Sequence, residues 1–147
     1  MIGKRNTKSG FSLLEILLVV AMITILTGIF APIFGTLFYR NNLDTAAEKI
    51  KTDLFRAQTL AESAKDDSNW GVHLSPGLST IFSGPNYAGR NIINDESNQL
   101  AGDITFSGPS EIVFGKSDIK PLISGIVIIR QGTESKTINI NSYGLIY

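Results

Sequence analysis

The chain lacks cysteine, and among its 147 residues it has a single histidine, His73. Without cysteine there is no disulfide scaffold, no thiolate zinc site and no thiol nucleophile. A single histidine excludes paired-histidine metal motifs and leaves at most one histidine general base. His73 lies between two apolar residues of a predicted strand, where a structural role is the simpler interpretation. Phosphate-loop, dinucleotide-binding, nucleophile-elbow and zinc-protease motifs are also absent, so we predict no enzyme activity, no catalytic residues, no metal site and no cofactor.

An excess of charge is also missing, because 13 basic residues balance 13 acidic ones. The charges are unevenly placed. Residues 1–10 contain Lys4, Arg5 and Lys8 and no acid, whereas ten basic and twelve acidic residues follow from Arg40 onward. Nucleic-acid-binding proteins usually carry clustered basic residues that neutralise phosphates, so this balance argues against a nucleic-acid partner.

A long apolar segment follows the basic N-terminus. No residue from 16 to 39 is charged, and from 11 to 39 the only charge is Glu15. As a helix, residues 16–39 would extend about 36 Å, against about 30 Å for the hydrocarbon core of a bilayer. Because basic residues favour the cytoplasmic side, the segment predicts a single-pass protein of the cytoplasmic (inner) membrane. Its N-terminus would be cytoplasmic and its C-terminal part would lie outside.

Three kinds of N-terminal segment share these general features. A secretory signal peptide has an apolar core of about 7–15 residues and a small-residue cleavage site, neither of which fits here. A plain signal anchor fits the length but leaves Glu15 unexplained, since an acid in an apolar segment costs free energy and usually has a partner. The third kind is the leader of a prepilin.

The sequence KSG-FSLLEILLVVAMITILTGIFAPIF resembles the N-terminus of type IV pilins and of type II secretion pseudopilins. In that family a short basic leader ends in glycine, here Gly10, and the next residue is usually phenylalanine, here Phe11. A glutamate occupies the fifth mature position, here Glu15, and a proline often lies further along, here Pro32. These residues match with the family's spacing.

The resemblance implies cleavage after Gly10 by a prepilin peptidase, which also N-methylates Phe11. It implies that Glu15 pairs with the Phe11 amine of a neighbouring subunit during filament assembly. The alternative is that Glu15 extends to the lipid headgroups, a reach more typical of lysine and arginine. The implied partners are the peptidase, other pilins or pseudopilins, an inner-membrane assembly platform and the membrane itself.

Three residues in the second half of the apolar segment can interrupt a helix: Gly28, Pro32 and Gly35. Pro32 lacks an N–H group and its ring clashes with the preceding turn, so we predict a kink or loosening there. The alternative is that the helix tolerates these residues without consequence.

Residues 41–65 predict an amphipathic continuation of the same helix. Apolar residues recur at alternating steps of four and three, and charged residues occupy the other faces. A coiled coil is the alternative, but the stripe covers fewer than about four heptads and is rich in alanine. The stripe consists of Leu43, Ala47, Ile50, Leu54, Ala57, Ala61 and Ala64.

The sequence beyond residue 66 is typical of a β-rich head, with short apolar runs separated by turn residues. Residues 84–102 lack periodicity and predict a long exposed loop, either a surface excursion or a partner contact. The candidate strands are residues 70–74, 78–82, 104–107, 111–114, 123–130, 137–140 and 144–147.

These segments predict four regions: a basic prepilin leader (1–10), a transmembrane or filament-core helix (11–40), the amphipathic half of that helix (41–65) and a β-rich globular head (66–147). The predicted fold class is α+β and type IV pilin-like. In it a long N-terminal α-helix, membrane-spanning in its first half, packs on a C-terminal antiparallel β-sheet head.

The head resembles that of a GspH/FimT-like minor pseudopilin, through DLFRAQ at 53–58, WGV at 70–72 and SYG at 142–144. The implied function is a structural subunit, a minor pilin or pseudopilin, of a type IV pilus-like or type II secretion-like filament. The alternative is a competence-type or FimT-like minor pilin whose head binds DNA or a surface ligand. Two oxygen-rich runs, at 66–69 and 95–98, lack the twelve-residue spacing of a calcium loop.

Overall fold

The computed structural model describes residues 10–101 and 103–147, and within the long helix the side chains of residues 29–36 fall outside the described part. The chain divides into two compact units, Met1–Leu37 and Phe38–Tyr147. Of the predicted leader, only Gly10 belongs to the described residues.

Helix α1 runs over Leu13–Glu62. It begins after Ser12, whose carbonyl oxygen accepts hydrogen bonds from the backbone N–H groups of Glu15 and Ile16. It ends before Ala64, which adopts a left-handed backbone with φ 49°, and a 3-10 turn over Lys65–Asp67 follows. In the second unit the predicted apolar stripe is buried, except that Ala64 is half-buried and Ala46 joins the buried set.

Seven strands form two antiparallel sheets in the second unit. They are β1 (Trp70–Ser75), β2 (Leu78–Ser83), β3 (Asn91–Gln99), β4 (Thr105–Ser107), β5 (Glu111–Phe114), β6 (Gly125–Gln131) and β7 (Glu134–Ile140). One sheet has the order β3-β2-β1-β5 and the other the order β4-β6-β7. Gly77 and Gly132, with φ values of 71° and 58°, allow the tight turns between β1 and β2 and between β6 and β7.

The core of the second unit lies between α1 and the inner faces of the two sheets. Alternate residues of β1 point into it, including Trp70 and Val72, as expected for a strand with one buried face. The Trp70 indole N–H donates a 3.0 Å hydrogen bond to the Lys65 carbonyl, so this large buried side chain has its polar atom satisfied. The two sheets pack on the part of α1 that carries the buried apolar stripe, residues 43–61.

The prediction of one β-sheet in the head is wrong, because the strands divide between two sheets. The chain changes sheet between β4, which pairs with β6, and β5, which pairs with β1. Gly108 has φ 110° at this turn and is followed by Pro109, which offers no N–H to a ladder. The last candidate strand, residues 144–147, contributes an isolated bridge between Ile146 and Ile140.

The predicted loop over residues 84–102 is also wrong in its second half, which forms β3. This strand is rich in Asn, Asp, Glu and Ser, residues that are scarce in strands. It lies at the edge of its sheet and is largely exposed, so no alternation of apolar and polar residues marks it in the sequence.

In the residues that the structure describes, no helix has both the length and the hydropathy that crossing a membrane requires. The uncharged part of α1 whose side chains the structure describes before residue 29 is Ile16–Gly28, about 20 Å of helix against a hydrocarbon core of about 30 Å. The predicted membrane-spanning first half, transmembrane helix and single-pass location in the cytoplasmic (inner) membrane are therefore wrong. The type IV pilin-like fold class is corrected to an α+β fold of one helix and two antiparallel sheets.

Candidate functional site

The predicted processing site is accessible. Gly10 is exposed, with no other atoms within 4 Å of the position that a Cβ would take, and Phe11 is 80% exposed. Both residues precede the start of α1 at Leu13, so the bond between them is outside the helix. A peptidase can reach such a bond without first unwinding helical structure.

Glu15 lies in the first turn of α1. Its carboxylate is exposed, and a negative charge there is stabilised by the helix dipole, by about 0.3–1 kcal/mol. Phe11, Glu15 and Ile16 line one shallow groove along the helix. The structure therefore brings together the two residues predicted to act in assembly, Phe11 and Glu15.

Around Glu15, the N-terminal part of α1 is apolar on every side. Large hydrophobic side chains from residue 11 to residue 26 are all about half exposed or more, including Leu13 at 82% and Ile25 at 63%. The Thr24 and Thr27 hydroxyls donate to backbone carbonyls one turn earlier, which hides two of the few polar groups in this segment. A helix that is hydrophobic all round is normally buried, so the exposure of this surface is unusual.

The predicted kink residues are described only in part. Gly28 lies in α1, with no atoms beyond the local helix backbone within 4 Å of its would-be Cβ. Pro32 and Gly35 lie outside the residues whose side chains the structure describes. The kink stays a prediction.

The second unit contains an open cleft of about 840 Å³ between α1 and β3. At its base Asp53 is 5% exposed and accepts hydrogen bonds from the Ser79 hydroxyl (2.7 Å) and the Asn98 amide (2.8 Å). Burial raises the pKa of the Asp53 carboxyl, although these two hydrogen bonds act in the opposite direction. The Asp53 carboxylate of α1 is thus hydrogen-bonded to two strands of the sheet, β2 and β3.

The charged residues around this cleft have polar partners within the chain. Arg56 donates to both carboxylate oxygens of Glu96 at 2.8 Å, and the Lys49 ammonium donates to the Gln99 carbonyl at 3.2 Å. Bidentate pairing of this kind fixes geometry as well as charge. The polar contacts along this cleft therefore hold β3 against α1. Its charged side chains already have hydrogen-bond or ion-pair partners within the protein.

A second polar cluster covers the outer face of the four-stranded sheet. The Tyr87 ring stacks on His73, with ring centroids 3.8 Å apart and planes within 10°, and the Arg90 guanidinium carbon lies 3.7 Å from the Tyr87 centroid. The His73 ring and the Arg90 guanidinium are both too close to the Tyr87 ring to lie on the same face of it. The Tyr87 ring therefore lies between them, with His73 on one face and Arg90 on the other. Its backbone N–H donates to Glu111, and Arg90 pairs with Asp95 at 2.8 Å.

His73 is a member of this stack on β1. Burial lowers the pKa of the His73 imidazole, Arg90 lowers it further, and Glu111 opposes the shift. The sequence gives no signal for the partnership with Tyr87, because that residue lies in the irregular segment before β3.

Several side chains in the two oxygen-rich runs considered for calcium are bound to other groups of the protein. In the first run Asp67 pairs with the Lys116 ammonium and Asn69 accepts the Lys116 backbone N–H. In the second run the side chains of residues 95, 96 and 98 are bound by Arg90, Arg56 and Asp53. Across the described part of the chain, no group of three or more acidic or histidine side chains is placed to hold a metal ion.

Comparison of the chain with protein-family models, with curated proteins and with solved structures finds no match.

Proposed function

We propose that the chain is a pilin-like structural subunit, which loses its basic leader at the Gly10–Phe11 bond and assembles with other subunits through the apolar N-terminal part of α1. The single observation that carries this proposal is the all-round exposure of large hydrophobic side chains from residue 11 to residue 26. Each such side chain gains about 1.5–3 kcal/mol when it is fully buried. Bundling with like helices would bury them.

The position of Glu15 supports the same proposal. Cleavage at Gly10 creates an α-amine on Phe11, and Phe11 lines the same groove as Glu15. When apolar helices surround this groove, both charges lose water and gain most from pairing with each other across subunits. The amine–carboxylate pair would then fix the axial stagger of neighbouring helices.

The proposed partners follow from these two features. A prepilin-type peptidase would cut and N-methylate at Phe11, an assembly platform would deliver subunits, and other pilins or pseudopilins would contribute further helices. The second unit gives less support to a DNA-binding head, because several of its basic side chains, including Arg56, Arg90 and Lys116, are held in ion pairs.

Filament incorporation of variants tests the proposal. In cells that also express a prepilin peptidase and the remaining filament components, Glu15→Ala should leave leader cleavage intact but reduce sedimentable filament, because the desolvated amine loses its partner. Glu62→Ala, at an exposed acid in the last turn of α1, is the matched control and should assemble normally.

The Gly10→Val variant tests the cleavage site and should block removal of the leader. Normal incorporation of Glu15→Ala would contradict the pairing, and a normally processed Gly10→Val chain would contradict the cleavage site.

A further inference from the structure

Residues 84–90 connect β2 to β3 and fold over the outer face of the four-stranded sheet. The two ends of this segment meet, because a Cβ added to Gly84 would lie 2.9 Å from the Arg90 Cα atom. The segment therefore leaves the sheet and returns to it at one place, as compact surface loops do. We refer to residues 84–90 as the strap.

The strap is held to β1 and β5 through Tyr87. The Tyr87 ring stacks on the His73 ring of β1, with centroids 3.8 Å apart. The Tyr87 backbone N–H donates a 2.9 Å hydrogen bond to the Glu111 carboxylate of β5. Arg90 binds the strap itself, through the Tyr87 carbonyl at 2.8 Å, and β3, through Asp95. The position of the strap over β1 and β5 therefore depends on the contacts of Tyr87.

The strap covers a small apolar patch. Phe82 is fully buried, and its ring meets the Tyr87 ring edge-on with centroids 5.5 Å apart. A Cβ added to Gly71 of β1 would lie 3.0 Å from the Phe82 ring and 3.1 Å from the Val113 Cα atom, so these residues are neighbours on the outer face. Phe82 and Val113 lie outside the core between α1 and the sheets. Displacement of the strap would thus uncover them without opening that core.

The stack suits the neutral form of His73. The Nδ1 atom of this side chain is buried and has no hydrogen-bond partner among the described residues. A neutral imidazole carries one N–H donor, whereas an imidazolium carries two. Protonated His73 would therefore hold a buried N–H donor without an acceptor, which is unfavourable.

Among the described residues, two charged groups act on His73, in opposite directions. The Arg90 guanidinium lies 3.7 Å from the Tyr87 centroid, on the other face of the ring, and repels a second cation. Glu111 is the cross-strand neighbour of His73 on β5 and attracts an imidazolium, whereas the neighbour on β2 is the uncharged Thr80. An imidazolium that turns toward Glu111 leaves the Tyr87 ring and competes with the Tyr87 N–H for the same carboxylate.

We propose that the strap is a pH-operated cover, closed over Phe82 while His73 is neutral and released when His73 is protonated. Burial and Arg90 lower the pKa of His73 against the opposing effect of Glu111. The strap is therefore closed at neutral pH and is released as the pH falls below the ordinary value of 6.5. This inference concerns the second unit alone and does not depend on the proposed function.

Hydrogen–deuterium exchange of the full-length protein, read by mass spectrometry over a series of pH values, tests the cover. Between about pH 7.5 and about pH 5, the protection of peptides spanning residues 84–90 should fall about tenfold or more, after correction for the pH dependence of intrinsic exchange. The protection of β6, in the other sheet, should fall by less. Because the chain has one histidine, a single substitution removes all imidazole titration.

Two variants identify the titrating group. His73→Phe keeps a ring against Tyr87 and should leave the strap protected at both pH values. Glu111→Gln keeps an acceptor for the Tyr87 N–H but removes the negative charge that favours the imidazolium. The strap of this variant should therefore open at a lower pH than the strap of the wild type.

Three results would overturn the inference: unchanged protection of the strap in the wild type, an equal loss of protection in β6, or the same loss in His73→Phe as in the wild type. An equal loss in β6 would indicate that the whole second unit is destabilised. If His73→Phe does not fold, Glu111→Gln decides, since an opening midpoint at the wild-type pH would show that His73 does not control the strap.

Discussion

Asp53 on α1 and Asn98 on β3 are joined by a 2.8 Å hydrogen bond from the amide Nδ2 to the carboxylate Oδ1. Asp53 also accepts the Ser79 hydroxyl, so one buried carboxylate connects the helix to two neighbouring strands. β3 is an edge strand and offers few buried apolar side chains of its own. Its attachment to the second unit therefore depends on polar bonds of this kind.

Removal of the Asp53 carboxylate should destabilise the second unit. Asp53→Ala leaves the Ser79 hydroxyl and the Asn98 amide without their acceptor in a buried site, at a cost of about 1–3 kcal/mol. Urea unfolding of the full-length variant at neutral pH measures the loss. An unchanged unfolding midpoint would show that water replaces the carboxylate at no cost.

Asp53→Asn should change the pH dependence of stability. Since burial raises the pKa of Asp53 in the folded protein, the folded state holds this proton more tightly than the unfolded state does. The resulting stabilisation is full below the ordinary pKa of 3.8 and is lost as the pH rises through the folded pKa. Going from about pH 4 to pH 7, the free energy of unfolding of Asp53→Asn should therefore rise relative to wild type. Parallel pH profiles for the two proteins would contradict this assignment.

His73 should give the opposite pH dependence. Its pKa is lowered by burial, so its contribution to stability is full above the ordinary value of 6.5 and is lost as the pH falls toward the folded pKa. His73→Phe keeps an aromatic ring against Tyr87 but cannot be protonated. Between about pH 7.5 and pH 5, this variant should lose less stability than wild type in thermal unfolding. Equal losses would show that another group is responsible.

Two adjacent residues of α1 test how the core is arranged. Leu54 is fully buried in the stripe and Phe55 is 49% exposed. Leu54→Ala should lower the free energy of unfolding by about 2–5 kcal/mol, whereas Phe55→Ala should lower it by less than about 1 kcal/mol. Denaturant unfolding of both variants measures the difference. Similar losses at the two positions would mean that Leu54 does not face the core.

The sequence predicts those parts of the second unit that follow a simple period. The stripe from Leu43 to Ala61 is confirmed because burial against the two sheets requires apolar residues at every third or fourth position. Six of the seven candidate strands are confirmed because glycine, proline and asparagine mark the turns between them.

The parts that were not predicted depend on contacts between distant residues. β3 has the composition of a loop and becomes a strand because Asp53, Arg56 and β2 hold it. The Tyr87 sandwich joins residues from β1, β5 and an irregular segment, and local periodicity carries no information about such pairings. The division into two sheets likewise depends on which strands β4 and β5 meet in space.

The N-terminal residue of the native protein in assembled material tests the central claim most directly. We expect mass spectrometry of the chain from a sedimented filament fraction to show Phe11 as the first residue, and other subunits in the same fraction. A native chain that still begins at Met1 and is recovered without partner subunits would contradict both the processing at Gly10 and the assembly through the apolar part of α1.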